Sequence, residues 1–183
     1  MDAQAQDSFR DFVTNRSPAL LKLAVLLSGG DRHAAEDLLQ NALIKAAGRW
    51  HRIDEPEAYV RQVLYRQQIS RWRLRWPHRE TTVAEAPDTA TTAQQGDATG
   101  AAELRIVVRQ ALARLTARQR TVLVLRYFED LPEADVARLL GCSVGTVRST
   151  NHRALDKLRK VAPELGTATR ATALDFPALE ARS

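Results

Sequence analysis

Val136-Ala137-Arg138-Leu139-Leu140-Gly141-Cys142-Ser143-Val144-Gly145-Thr146-Val147-Arg148-Ser149 is the run whose reading decides the fold. Val136, Ala137 and Leu140 recur at helical spacing, so a short helix with one apolar face is expected from about Pro132 to Leu140. Gly141 follows where a tight turn needs a left-handed backbone, which glycine adopts without a steric penalty. Ser143 is a good capping residue, and a last helix is expected from Val144 to about Lys160. Helix, glycine turn and capped helix at this spacing make a helix-turn-helix, whose second helix presents its N-terminal turn to the DNA major groove. On that helix Val144, Val147, Ala154, Leu155 and Leu158 are expected inside. Arg148, Ser149, His152 and Arg153 project together on the other side, beyond the first-turn hydroxyls of Ser143 and Thr146, where base edges and phosphates are within reach. From Arg138 to Lys160 six basic residues face a single acid, Asp156, which favours DNA over an ordinary solvated helix. Asn151 falls near the core stripe and needs a hydrogen-bond partner there.

Upstream of this run, Thr116 can cap a helix through Phe128, and another is expected from about Ala101 to Leu115. Residues 101–161 therefore read as one small helical domain, with a disordered tail over 162–183. Residues 78–100 turn to Thr, Ala, Gln, Gly, Pro and Asp with almost no large apolar side chain, the composition of a flexible linker. The linker sets Arg79 against Glu80, Glu85, Asp88 and Asp97, so it is net acidic.

Residues 8–77 read as a second helical domain. Ser17-Pro18 has the chemistry of a helix start, Gly29-Gly30 breaks the chain, and Asp31 can cap the helix that follows. That helix buries Ala35, Leu38, Leu39, Ala42, Leu43 and Ala46 and leaves Glu36, Asp37, Gln40, Asn41 and Lys45 outside. A loop through Asp54-Glu55-Pro56 leads to a long helix from about Glu57 to Trp76, with Tyr59, Val60, Val63, Leu64 and Ile69 as its apolar stripe. Between Ala58 and Arg79 stand six arginines (Arg61, Arg66, Arg71, Arg73, Arg75 and Arg79) and no acid. Trp72 and Trp76 lie four apart among them; arginines neutralise phosphate and indoles stack on unpaired bases or wedge into a base step. The plainer alternative is two tryptophans packed on the core with arginines reaching around them.

Composition narrows the remaining classes. The 183 residues carry a formal charge of +5, 44% apolar and 5% aromatic residues, and fit two small helical domains with a polyanionic partner. The single cysteine, Cys142, excludes an internal disulfide and any cysteine-cluster metal site, and the four histidines never recur at metal-ligand spacing. No metal or cofactor is expected. No glycine-rich phosphate loop, paired catalytic carboxylates or Cys/His nucleophile arrangement points to an enzyme. The start of the chain has no secretory pattern, and its most apolar stretch, Ala19 to Leu27, contains Lys22 and is too short to span a bilayer. A soluble cytoplasmic protein is expected.

Several of these segments resemble one family. The run Ala34-Ala35-Glu36-Asp37-Leu38-Leu39-Gln40-Asn41-Ala42-Leu43-Ile44-Lys45-Ala46 resembles the region 2 helix of bacterial sigma factors that grips the RNA polymerase clamp. Pro56-Glu57-Ala58-Tyr59-Val60-Arg61-Gln62-Val63-Leu64 through Trp76 resembles the part that melts and reads the −10 element. Leu115 to Leu131 resembles the start of region 4, and Val136 to Ser149 the helix-turn-helix that reads the −35 element. The likeness is greatest to the actinobacterial SigE-like subgroup of the extracytoplasmic-function (ECF) sigma factors, which lack region 3. It implies an all-α protein of two helical domains that binds core RNA polymerase, recognises a two-part promoter and opens the DNA. It further implies −35 contacts from Ser143, Thr146, Arg148, Ser149, His152 and Arg153, and −10 contacts from Arg61, Arg66, Arg71, Trp72, Arg73, Arg75 and Trp76. Asp37, Gln40 and Asn41 would meet the clamp helices of the largest polymerase subunit, and region 4 would rest on the flap of the second-largest. The loop at residues 50–56 would capture a flipped-out −10 base, and the acidic linker would thread the polymerase cleft. An anti-sigma factor is a further implied partner. The rival reading is a helix-turn-helix regulator with an N-terminal sensor or dimerisation domain.

Overall fold

The computed structural model describes residues 3–74 and 100–163, all of whose regular structure is helical, with side chains described over 3–71 and 106–163. The chain divides into two compact units, one within residues 1–89 and the other within 90–183. Most of the expected linker and tail, and with them Arg75 and Trp76, lie outside the described residues, as do the side chains of Trp72 and Arg73.

Among the described residues, three α-helices build the first unit: α1 (Ala3–Leu27), α2 (Arg32–Ala47) and α3 (Pro56–Leu74). Ser17-Pro18 does not start a helix, since α1 runs through it for 25 residues. Proline removes one backbone donor from the helix ladder. Exposed Pro18 is tolerated because Phe9, Phe12 and Val13, one turn apart, give the upstream half an apolar edge worth covering. Leu20, Leu23, Ala24 and Leu27 carry the downstream half into the core. Gly29 (φ 72°) and Gly30 (φ 89°) then reverse the chain through left-handed backbone. Asp31 caps α2 as expected, its Oδ1 accepting the Ala34 N–H at 3.0 Å. Small Ala35, Ala42 and Ala46 beside Leu38 and Leu39 let α2 pack closely on both neighbours. From α3, Val60, Val63, Leu64 and Ile69 are buried as expected, and Tyr65 and Gln68 join them. Gln68 Nε2 donates to the Leu27 carbonyl at 2.9 Å, satisfying an acceptor that the end of α1 leaves open.

The second unit holds α4 (Gly100–Ala113), α5 (Ala117–Leu123), α6 (Glu133–Leu140) and α7 (Val144–Val161). Thr116 caps α5 in a reciprocal box with Gln119. Burial pushes the Arg120 guanidinium down to about 10, so it is still a cation at neutral pH. Its Nε and Nη2 donate to the Leu112 and Leu115 carbonyls at 2.9 and 3.0 Å, tying α5 to the end of α4. The helix expected through Phe128 widens instead into a π turn over Val124–Phe128. That turn closes with Glu129 N–H on the Val124 carbonyl at 3.0 Å, and Asp130 enters the left-handed region at φ 50°.

The helix-turn-helix is as expected. Gly141 takes φ 62°, ψ 46°, and Ser143 Oγ accepts the Thr146 N–H at 3.1 Å. Val136, Ala137, Leu140, Val147, Thr150 and Ala154 are buried, while Leu155 and Leu158 are half-buried. Val144 is the exception: it was expected inside but is 37% exposed, because the first turn of α7 projects beyond its neighbours. Ala162 is 2% exposed, so packing continues one residue past the expected boundary at 161. Gly141→Ala forces a β-carbon into left-handed backbone and is expected to cost about 1–2 kcal/mol. Thermal unfolding of the second unit at lower temperature checks this, and an unchanged midpoint would contradict it.

Candidate nucleic-acid interface

Arg148, Ser149, His152 and Arg153 are all exposed on α7, together as anticipated from their spacing. The face is set by what lies behind it, since Val147, Thr150 and Ala154 are held in the core and leave the intervening residues outward. Ser143 and Thr146 sit at the start of the helix with their hydroxyls 2.9 Å apart, both engaged in the cap. Gly145 is exposed, and a β-carbon there would meet only Ser143 Oγ at 3.8 Å. Nothing inside the fold requires glycine at that position, so its bare backbone leaves room for close approach of an outside surface. The first N–H groups of α7 and its dipole favour a phosphate at the same end.

The basic side chains of this face differ in their surroundings. Arg148 reaches Glu133 of α6 at 2.9 Å. His152 Nε2 lies 3.1 Å from Asp156, which also pairs with Arg159 at 2.8 Å. Arg153 has no ion pair among the described residues. Asn151 finds a partner for one end of its amide, Nδ2 donating to the Tyr127 hydroxyl at 3.0 Å, while its buried Oδ1 has none among the described residues. That bond ties the π turn to the middle of α7.

In the first unit Arg66 and Arg71 are exposed on α3, whereas Arg61 is half-buried and paired with Glu57 at 2.8 Å. Glu57 also reaches Arg16 of α1 at 3.4 Å. The arginine run is thus free of acids only from Ala58 onward, and Arg61 is spent in part on holding α3 to its own first turn. Between α2 and α3 the chain forms a short 3-10 turn, Trp50–Arg52. Trp50 is 8% exposed and edge-on to Phe9, with ring centroids 5.0 Å apart, and 5.2 Å from Phe12. Beyond this anchor the loop borders a hollow of 690 Å³ lined by Arg49, Arg52, Asp54, Glu55, Tyr59 and Gln62 among others. An aromatic ring and hydrogen-bonding side chains around such a space suit an unstacked base.

Asp37, Gln40 and Asn41 are exposed on one side of α2, with Asn41 Nδ2 turned back onto the Asp37 carbonyl at 2.7 Å. Ile44 continues this row and is 61% exposed. Beside it an apolar groove of 360 Å³ is lined by Phe9, Val13, Leu21, Leu39 and Leu43. Ile44 is not among the polar side chains that the sequence assigns to this face, yet its i+7 spacing from Asp37 places it there.

Fold and site together define an all-α helix-turn-helix protein, and residues 105–158 match the family described as Sigma-70, region 4. The chain is 37% identical over 157 residues to the RNA polymerase sigma-E factor of Streptomyces coelicolor, covering 83% of this chain and 84% of the relative. It is 30% identical over 169 residues to the ECF RNA polymerase sigma factor SigL of Mycobacterium tuberculosis, covering 90% and 94%. Its fold is similar to that of the sigma factor RpoE of Bartonella quintana, solved in complex with the anti-sigma factor NepR, with a TM-score of 0.55 and 24% identity over 84% of this chain and 96% of that one. The chain belongs to the extracytoplasmic-function RNA polymerase sigma factors, of the actinobacterial sigma-E type, and directs promoter-specific transcription. A regulator with an unrelated N-terminal sensor domain does not account for a likeness that extends over both units. No helix among the described residues is long and apolar enough to cross a membrane.

Proposed function

We propose that the two units divide promoter recognition between them, with the second reading the −35 element through α7. Arg148, Ser149, His152 and Arg153 supply base and phosphate contacts, and Ser143, Thr146 and Gly145 bring the start of the helix against the backbone. The observation that carries this reading is the exposed cationic face of α7 behind a glycine turn, with a glycine at its first turn that the fold itself does not need. The first unit opens and reads the −10 element along Arg66, Arg71, Trp72, Arg73, Arg75 and Trp76, and the hollow beyond Trp50 holds a flipped base. Arg61 supports that helix from behind. The acidic stretch at residues 78–100 follows the polymerase cleft, and the second unit rests on the flap of the second-largest subunit. The protein works in the cytoplasm by binding alone, catalyses no reaction of its own, and is open to restraint by an anti-sigma factor. Run-off transcription with core polymerase and a randomised promoter library tests the scheme, since transcripts no more selective than those of core polymerase alone would overturn it.

Asp37, Gln40 and Asn41 meet the clamp helices of the largest subunit, and Ile44 with its groove adds the apolar centre that a polar row lacks. Ile44→Asp is expected to weaken core polymerase binding about tenfold or more. Because Ile44 is exposed, its replacement should leave thermal stability nearly unchanged. Pull-down at moderate salt measures the first effect and a melting curve the second. Undiminished polymerase capture would remove α2 from the interface.

A further inference from the structure

Arg148 and Arg153 share one exposed face of α7 but not one electrostatic setting. Arg153 is unpaired among the described residues, whereas Arg148 donates from Nη2 to Oε2 of Glu133 at 2.9 Å. This contact joins residues 15 positions apart and bridges the two helices of the helix-turn-helix. Glu133 is the sheltered member, with its side chain 28% exposed against 72% for Arg148. The other acids of α6 and α7 have cations of their own, Asp135 with Arg138 and Asp156 with Arg159. The bond to Glu133 uses a single N–H of the guanidinium and leaves the rest of its fork for a bidentate base edge.

We propose that Glu133 is a positioning residue for promoter recognition, holding the Arg148 fork in a base-reading pose while its charge weakens the pull of Arg148 toward phosphates of any sequence. The proposal rests on the reading of α7 as the −35 helix and assigns different tasks to its two arginines. A long side chain loses rotamer freedom when it binds, and a partner that already restrains it reduces that loss at the correct base. A carboxylate beside the groove is repelled by phosphate, so removing it favours indiscriminate contact. Arg153, with no such partner, is the sequence-independent phosphate contact.

The test uses reconstituted holoenzyme and a duplex library randomised over the −35 element, with enrichment read at each base position. Arg148→Ala flattens the preference at one or two positions. Glu133→Gln is expected to reduce preference about threefold at those same positions, the scale of an exposed ion pair, and to leave the others unchanged. In the Arg148→Ala background, Glu133→Gln should add nothing. No change in the Glu133→Gln profile overturns the proposal, as does a uniform loss at every position, which would mark a structural residue. An equal effect with and without Arg148 also overturns it, because Glu133 would then act by another route. If neither Arg148→Ala nor Arg153→Ala alters any preference or affinity, the −35 reading of α7 itself fails, an outcome distinct from the failure of Glu133 alone.

Discussion

Arg148→Ala combined with Arg153→Ala lowers holoenzyme affinity for a −35-containing promoter by about 2–4 kcal/mol, on the order of 100-fold, and leaves core polymerase binding intact. The size follows from the two roles. A bidentate base contact contributes about 1–3 kcal/mol of discrimination, and a phosphate contact contributes by releasing a counterion. The single variants should therefore differ in kind. Arg153→Ala weakens binding to all sequences alike and reduces the salt slope by about 1, whereas Arg148→Ala relaxes preference at particular bases. Fluorescence anisotropy over a salt series separates them. Both side chains are exposed and neither reaches the hydrophobic core, so stability should change little. Matching losses of promoter and polymerase binding would mean that α7 is a structural helix after all.

Trp50→Ala is expected to cost the first unit about 3–5 kcal/mol, enough to remove most of the stability that a core of this size supplies. The indole is almost wholly enclosed, and Phe9 and Phe12 would lose the surface against which both rings are packed. The loss should be local. In the intact chain, Trp50→Ala should lose the first unit's share of the helical circular-dichroism signal at lower denaturant, while α7 still binds −35 duplex. Promoter opening should fail, because the loop that borders the hollow has lost its anchor. Trp50→Phe keeps an edge-on aromatic contact and should recover most of both. Wild-type midpoints for Trp50→Ala would show that α1 holds the loop by other means.

Much of the fold was legible from local chemistry. Thr116 with Gln119, Asp31, Ser143 and Gly141 each act within a few residues of themselves, so their caps and turns follow from side-chain type and spacing alone. Amphipathic spacing likewise identified Leu38, Leu39, Val60, Leu64, Val136 and Val147 as core. Ser17-Pro18 misled for an instructive reason. A proline that could open a helix was overruled by Phe9 and Phe12, whose partner Trp50 lies far along the chain. Val144 had the right periodicity but no neighbour at the projecting end of α7 to cover it. The π turn at Val124–Phe128 adds one residue per turn for a bond that only the following loop makes favourable.

The same division runs through the functional surfaces. Which polar residues face outward on α2 and α7 was decided by the sequence itself, because a helix of known period has no freedom to present them otherwise. Tertiary structure alone decided other ties: Arg148 to Glu133, Asn151 to Tyr127, Trp50 to Phe9 and Phe12. All three join different elements, and a side chain reaches a partner on another element only after a core has fixed the distance between them. Chain order thus determined where the cations of α7 stand, and packing determined which of them is already spoken for.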